Sequence, residues 1–187
     1  MISTADFRNG MVIIENGELM ELVGFQHVKP GKGGAFVRTK QKNVLTGRVI
    51  EKTYRSGEKF EEARIIETPF QYLYNDGDLY YFMHQETYEQ VPVGRNIIGD
   101  KSDWLKENEE VGLLMYEGKV IALNLPITVN LEVAQCDPGV QGDRASGGTK
   151  PAMLETGATI QVPLFINEGD TVKVDTRTGE YIERVNT

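Results

Sequence analysis

Strand-like runs recur along the entire chain, and each is cut off by a turn signal before it could fill a helix. Residues 11–15, 19–25, 35–40, 48–54 and 60–66 are rich in β-branched and apolar side chains, with Asn16-Gly17 and Ser56-Gly57-Glu58 as punctuation. Asn-Gly is a strong short-range hairpin signal because both residues tolerate positive φ. The pattern continues in 70–74 and 79–83 around Asn75-Asp76-Gly77-Asp78, then in 111–116 and 120–125, hinged at Glu117-Gly118. It resumes at 129–133, 159–164, 171–175 and 180–185, with Arg177-Thr178-Gly179 as the final turn. Twenty glycines and seven prolines spread through 187 residues favour several small β domains over one large core. One short helix is expected over 103–107, with Ser102 or Asp103 as N-cap. Phe7, Phe25, Phe36 and Val37 are expected core residues of the first segment. The aromatic run Tyr80, Tyr81, Phe82 is expected to serve core and interface packing rather than base stacking.

One turn segment carries chemistry. In His27-Val28-Lys29-Pro30-Gly31-Lys32-Gly33-Gly34-Ala35, three glycines and a proline predict a tight exposed connection between strands, with Lys32 alone at its tip. A phosphate-binding loop of the nucleotide-hydrolase kind would end in Gly-Lys-Ser/Thr and open a helix. Lys32 is instead followed by Gly-Gly-Ala-Phe-Val-Arg-Thr, a β-favouring run without the magnesium-binding hydroxyl. A lone exposed lysine that only aids solubility is the bland alternative. The surroundings weigh against it: residues 29–59 hold nine basic and two acidic side chains, which makes nucleic acid the natural partner.

The formal net charge of −8 hides a polarity. Residues 1–64 hold 11 Lys and Arg against 8 Asp and Glu; residues 65–127 hold 4 against 11, and residues 128–187 hold 5 against 9. A phosphate backbone is drawn to one end and repelled by the middle, which favours defined docking over non-specific coating. No apolar run approaches the roughly 20 residues that span a bilayer, and the N-terminus has no signal-type stretch. A soluble, cytoplasmic protein without membrane contact is expected. Cys136 with His27 and His84 cannot supply a four-ligand structural metal site, and Cys136 reads as a small, partly buried residue near a strand end. No paired-carboxylate, metal-ligand or nucleophile–base constellation stands out, so no enzyme activity, metal or cofactor is expected.

Three anchors complete the reading: the motif from His27 to Lys40, Asp137-Pro138-Gly139 with Gly142-Asp143, and Gly147-Gly148-Thr149-Lys150-Pro151-Ala152 continuing through Gly157 and Val162-Pro163-Leu164-Phe165-Ile166 to Gly169. Together they make the chain resemble, over its whole length, the bacterial elongation factor P family, relatives of the hypusine-carrying translation factor of eukaryotes and archaea. The resemblance implies an all-β fold of three small barrels: an SH3-like (KOW-like) domain over 1–64 and OB-fold domains over 65–128 and 129–187, in an L-shaped, transfer-RNA-like arrangement. It implies a non-enzymatic, monomeric factor that binds the ribosome beside the peptidyl transfer RNA and relieves stalling at consecutive prolines. Lys32 is then the contact to the acceptor end and the residue that a lysine-modifying enzyme would lengthen. Lys29, Pro30, Gly31, Gly33, Gly34, Arg38, Lys40 and Lys42 form the transfer-RNA-binding loop and patch. Gly142, Asp143, Arg144, Gly147, Gly148 and Thr149 form a loop toward messenger RNA at the exit site, within a long glycine-rich connection over 137–149. Arg144 stands where the family more usually has threonine. The alternative is a generic single-stranded nucleic-acid binder of the cold-shock, OB-fold kind. It would need aromatic platforms in a basic groove, and the aromatic-rich middle of this chain is acidic.

Overall fold

A computed structural model of the chain describes residues 1–139 and 148–186, which fold mostly as antiparallel β-structure. The first sheet contains β1 (Ile2–Ser3), β2 (Val12–Glu15), β3 (Glu18–Val28), β4 (Phe36–Asn43), β5 (Val49–Arg55) and β6 (Lys59–Ala63), in the order β1-β6-β2-β3-β4-β5. Pairing from Val12 opposite Glu21 to Glu15 opposite Glu18 leaves Asn16 and Gly17 as a two-residue turn. Both sit at positive φ, 52° and 80°, so the local chemistry of Asn-Gly sets the register of the hairpin. A bulge in β3 between Leu22 and Gly24 bends the sheet so that its inner face wraps a core. That core contains Phe7, Ile13, Met20, Leu22, Val37, Tyr54 and Phe60, with Phe25 partly buried against it.

Phe36 is not part of that core. Along β4, Val37, Thr39, Gln41 and Asn43 are buried while Arg38, Lys40 and Lys42 are exposed. Successive strand residues face opposite ways, so of the adjacent pair Phe36 and Val37 only one can turn inward. Val37 does, and Phe36 joins the cationic face.

Beneath that face runs a polar network. Gln41 Nε2 donates to Thr39 Oγ1 at 2.9 Å and to the Tyr54 hydroxyl at 2.7 Å. Tyr54 donates to Glu15 Oε2 at 2.5 Å, and Glu15 Oε1 pairs with the Lys52 ammonium. Burial, reinforced by Glu15, pushes the Tyr54 phenol well above its ordinary range, so it stays a donor. Tyr54→Phe takes one hydrogen bond each from Glu15 and Gln41, which keep Lys52 and Thr39 as partners; it is expected to lower stability by about 1–3 kcal/mol, read as a lower urea midpoint. An unchanged midpoint would mean the network contributes nothing.

The second sheet contains β7 (Ile65–Asn75), β8 (Leu79–His84), β9 (Gln90–Gly94), β10 (Glu110–Tyr116) and β11 (Lys119–Asn124), in the order β11-β10-β7-β8-β9. The single strand expected over 60–66 is two strands. Ala63 pairs with Val12 in the first sheet, and Ile65 already opens β7. The expected helix is displaced as well. A short helix α1 (Arg95–Ile98) runs into a 3-10 turn at Gly99–Trp104, and Leu105 is extended at φ −84°, ψ 109°. Ser102 does not cap a helix start; its carbonyl accepts the closing bond from Leu105. Leu105 is buried, and an extended backbone there places it in the core.

The third sheet contains β12 (Thr128–Cys136), β13 (Thr149–Leu154), β14 (Thr159–Pro163), β15 (Thr171–Asp175) and β16 (Tyr181–Val185), in the order β14-β13-β12-β15-β16. Its core is aliphatic, built on Val129, Leu131, Leu154, Val162, Ile166 and Val172, with Trp104 packed against it. Cys136 ends β12, partly buried. At the last turn, the Asp175 carboxylate accepts from Arg177 N at 2.8 Å and Nη2 at 2.9 Å. The Arg177 side chain, with its backbone N–H, holds Asp175 at about 2. The folded value lies below the unfolded one near about 3.9. The contribution is therefore complete above that value and lost as pH falls towards about 2. Asp175→Asn is expected to flatten this part of the acid limb in a plot of thermal midpoint against pH; an unaltered limb would contradict the assignment.

By contacts the chain groups into two units, residues 1–67 with 114–122 and residues 68–113 with 123–187. Within the first, Tyr116 and Ile121 pack with Val12, Leu19, Ala63 and Ile65. No helix among the described residues is long and apolar enough to cross a membrane.

Candidate nucleic-acid interface

β3 and β4 make a long hairpin closed by Val28 opposite Phe36, and residues 29–35 form its tip. Lys29, Pro30, Gly31, Lys32, Gly33 and Gly34 are all exposed. Gly33 has φ 109°, a left-handed conformation that only glycine adopts without strain. Gly31 and Gly34 differ: each is surrounded by open space, so nothing inside the molecule demands glycine there. Lys32 makes no hydrogen bond or ion pair with the described residues. Its ammonium is held out to whatever approaches.

The tip continues into the outer face of β4. Arg38 stands opposite Gln26 and Thr53, Lys40 opposite Gly24 and Glu51, and Lys42 opposite Glu21 and Val49. The carboxylates of Glu21 and Glu51 flank the row, yet neither forms an ion pair with it. Of the nine basic residues in 29–59, Lys52 alone is ion-paired among the described residues, to Glu15. A shallow groove of about 550 Å³, lined by Gln26, Arg38, Lys40, Glu51 and Thr53 among others, runs across this surface. Cations left without ion-pair partners among the described residues, beside such a groove, suit a phosphate backbone, where each one placed displaces counterions.

Phe36 is the residue that sequence reasoning misplaced. Its ring lies beneath the Arg38 guanidinium, 5.5 Å from carbon to ring centroid, and its cross-strand neighbour is Arg55. The signal was the period-two alternation of β4, which assigns Phe36 to the side of Arg38.

The second expected contact loop is only partly described. Gly142, Asp143, Arg144 and Gly147 lie outside the described residues. Gly148 and Thr149 lie within them, and Thr149 opens β13, donating to Gln161 Oε1 at 3.2 Å. The described ends on either side meet on one residue. A Cβ on Gly139 would stand 2.4 Å from the Leu164 carbonyl oxygen, and one on Gly148 would stand 3.0 Å from Leu164 Cδ1. Lys150, buried, donates to the Asp137 carbonyl at 2.6 Å and ties the same two ends together.

The aromatic run of the middle sheet divides by face. Tyr80 and Phe82 are buried, whereas Tyr81 stacks on Tyr74 at 4.7 Å and donates to Asp76 Oδ2 at 3.1 Å. This pair, with Tyr74 exposed and Tyr81 half-buried, thus has a carboxylate, not a cation, at its edge.

Three family models match the sequence: the elongation factor P KOW-like domain over residues 3–60, the elongation factor P OB domain over 65–123 and the elongation factor P C-terminal domain over 129–184. Among curated relatives, elongation factor P of Acetivibrio thermocellus is 55% identical over 185 residues, covering 99% of this chain and 100% of the relative. That of a Thermoanaerobacter species is 56% identical with the same coverage. That of Saccharopolyspora erythraea is 52% identical across the full length of both chains. Among solved structures, a translation initiation factor eif-5a family protein from Naegleria fowleri aligns with a TM-score of 0.51 at 12% identity, covering 66% of this chain and 96% of that one, a likeness of fold alone.

Proposed function

Because the chain belongs to the elongation factor P family and is a translation elongation factor, we propose that it binds the ribosome beside the peptidyl transfer RNA and promotes peptide-bond formation where consecutive prolines stall it. One observation carries this reading: an exposed Lys32 without an ion-pair partner among the described residues, at the tip of a hairpin whose adjoining strand face presents Arg38, Lys40 and Lys42, likewise without ion-pair partners there.

Proline restricts its own backbone and lacks an N–H, so a peptidyl-prolyl end is held in poor geometry rather than being chemically inert. A factor that fixes the end of the transfer RNA restores attack geometry, and orientation of this kind is worth several kcal/mol. In this mechanism Lys32 supplies a positive charge and three N–H donors to phosphate or ribose. Lys29, Arg38, Lys40 and Lys42 hold the backbone, and the open space at Gly31 and Gly34 lets RNA come close to the main chain. Messenger RNA at the exit site is the proposed partner of the residues from Gly142 to Thr149. The bond is made by the ribosome, and no group of this protein reacts. The primary amine of Lys32 is equally accessible to a lysine-modifying enzyme; intact-mass measurement on protein from its own source reads whether it is extended.

The test is reconstituted translation of two messages that differ only in a run of prolines or alanines, with and without the protein. Relief of stalling on the proline message alone is the expected result. Identical yields with and without it would remove the reading.

A further inference from the structure

We propose that Phe36, roofed by Arg38 at the root of the Lys32 loop, is a stacking platform for an unpaired nucleobase, so that this face holds the single-stranded end of an RNA by a base as well as by its phosphates. The inference rests on the function proposed above and adds to it a site for a ring. The first core is already filled by Phe7, Val37, Tyr54 and Phe60, and Phe36 stands on the opposite side of the strand, partly exposed among cations. Arg38 lies 5.5 Å from its ring centroid, and Arg55 pairs across from it. The acidic neighbour is Glu58, whose carboxylate takes the backbone N–H of Arg55 at 3.3 Å and forms no ion pair with either arginine.

A phenyl ring in this setting has a definite chemical preference. It offers a π-face to any base without demanding a sequence. A guanidinium above it can sandwich that base or swing to the adjoining phosphate. Bases inside a duplex are already stacked and cannot use the ring, so the ligand is a nucleotide with no pairing partner. The 3′ end of a transfer RNA supplies such nucleotides. Phe36 is the first residue of β4, immediately after the Lys32 loop, so a base resting there belongs to the same terminal stretch that Lys32 is proposed to touch.

The test measures binding of the full-length protein to ribosomes whose peptidyl site holds transfer RNA either intact or shortened by its unpaired 3′ nucleotides. Phe36→Leu keeps an apolar side chain of similar size without the π-face. It is expected to weaken binding to the intact complex roughly 5- to 100-fold and to leave binding to the shortened complex unchanged. Phe36→Tyr is expected to bind both complexes as the unsubstituted protein does. Equal weakening on both complexes, or none on either, overturns the platform while leaving the functional reading in place. Failure of the functional reading has its own signature, in which the unsubstituted protein binds ribosomes equally with and without transfer RNA.

Discussion

Lys32→Ala is expected to slow peptide-bond formation at consecutive prolines by tenfold or more, on the order of the several kcal/mol that orientation supplies, while leaving the thermal midpoint of the protein unchanged. The two halves of this expectation have separate causes. Lys32 is exposed at a hairpin tip and makes no hydrogen bond or ion pair with the described residues, so its truncation removes no polar contact the fold uses. On the proposed function, whatever it contributes is made only when RNA is present. The basic face supplies the contrast. Lys42→Ala, at the proposed phosphate contact far along β4, should weaken ribosome binding uniformly while reducing the salt slope by about 1. The loss should not distinguish prolines from alanines. Lys32→Ala should show the opposite pattern, a proline-selective defect at saturating factor. If Lys32→Ala relieves proline stalling as well as its parent, the tip is not the working group.

What the sequence disclosed, and what it withheld, follows from how far each cause reaches along the chain. Asn16-Gly17 and Glu117-Gly118 both adopt paired positive φ, and both were legible because a two-residue turn is decided by its own residues. β9 and β13 were not legible, because Pro92 and Pro151 inside them argue locally against a strand while the neighbouring strands argue for it. The helical residues were placed too late in the chain. Trp104 and Leu105 have the composition of a helix, yet burial of Leu105 requires an extended backbone at that point. At the interface, the lysine tip and the cationic row of β4 could be read from charge and alternation. The pairing of Lys52, which stands on β5 opposite buried Thr39, could not, since its partner Glu15 lies 37 residues away. The inward or outward choice between Phe36 and Val37 sits between these cases. Alternation fixes that they differ, and only the packed core decides which one turns in.

Gly139→Ala is expected to destabilise the third sheet by about 3 kcal/mol, the upper part of the range for forcing an extra methyl into a packed site. The Asp137-Pro138-Gly139 motif stands out in the sequence without its reason; the structure supplies one. The added Cβ would lie 2.4 Å from the Leu164 carbonyl oxygen and 3.2 Å from its carbonyl carbon. Those are backbone atoms, and the next described residues of that segment enter the core through Ile166. No rotamer change relieves the clash, so one backbone must move against the other. Gly148→Ala is milder in kind, because its Cβ would meet Leu164 Cδ1 at 3.0 Å and that side chain can rotate. Gly31→Ala, with nothing within 4 Å and no positive φ, should be neutral. The expected order of urea midpoints is therefore Gly31→Ala highest, then Gly148→Ala, then Gly139→Ala. Fluorescence of Trp104, the one tryptophan, reports the changes at 139 and 148, because that ring packs on the third core, and backbone circular dichroism reads Gly31→Ala. Equal, small losses at 139 and 148 would show that Leu164 yields as a whole, and that the glycine at 139 is not there to let two backbones touch.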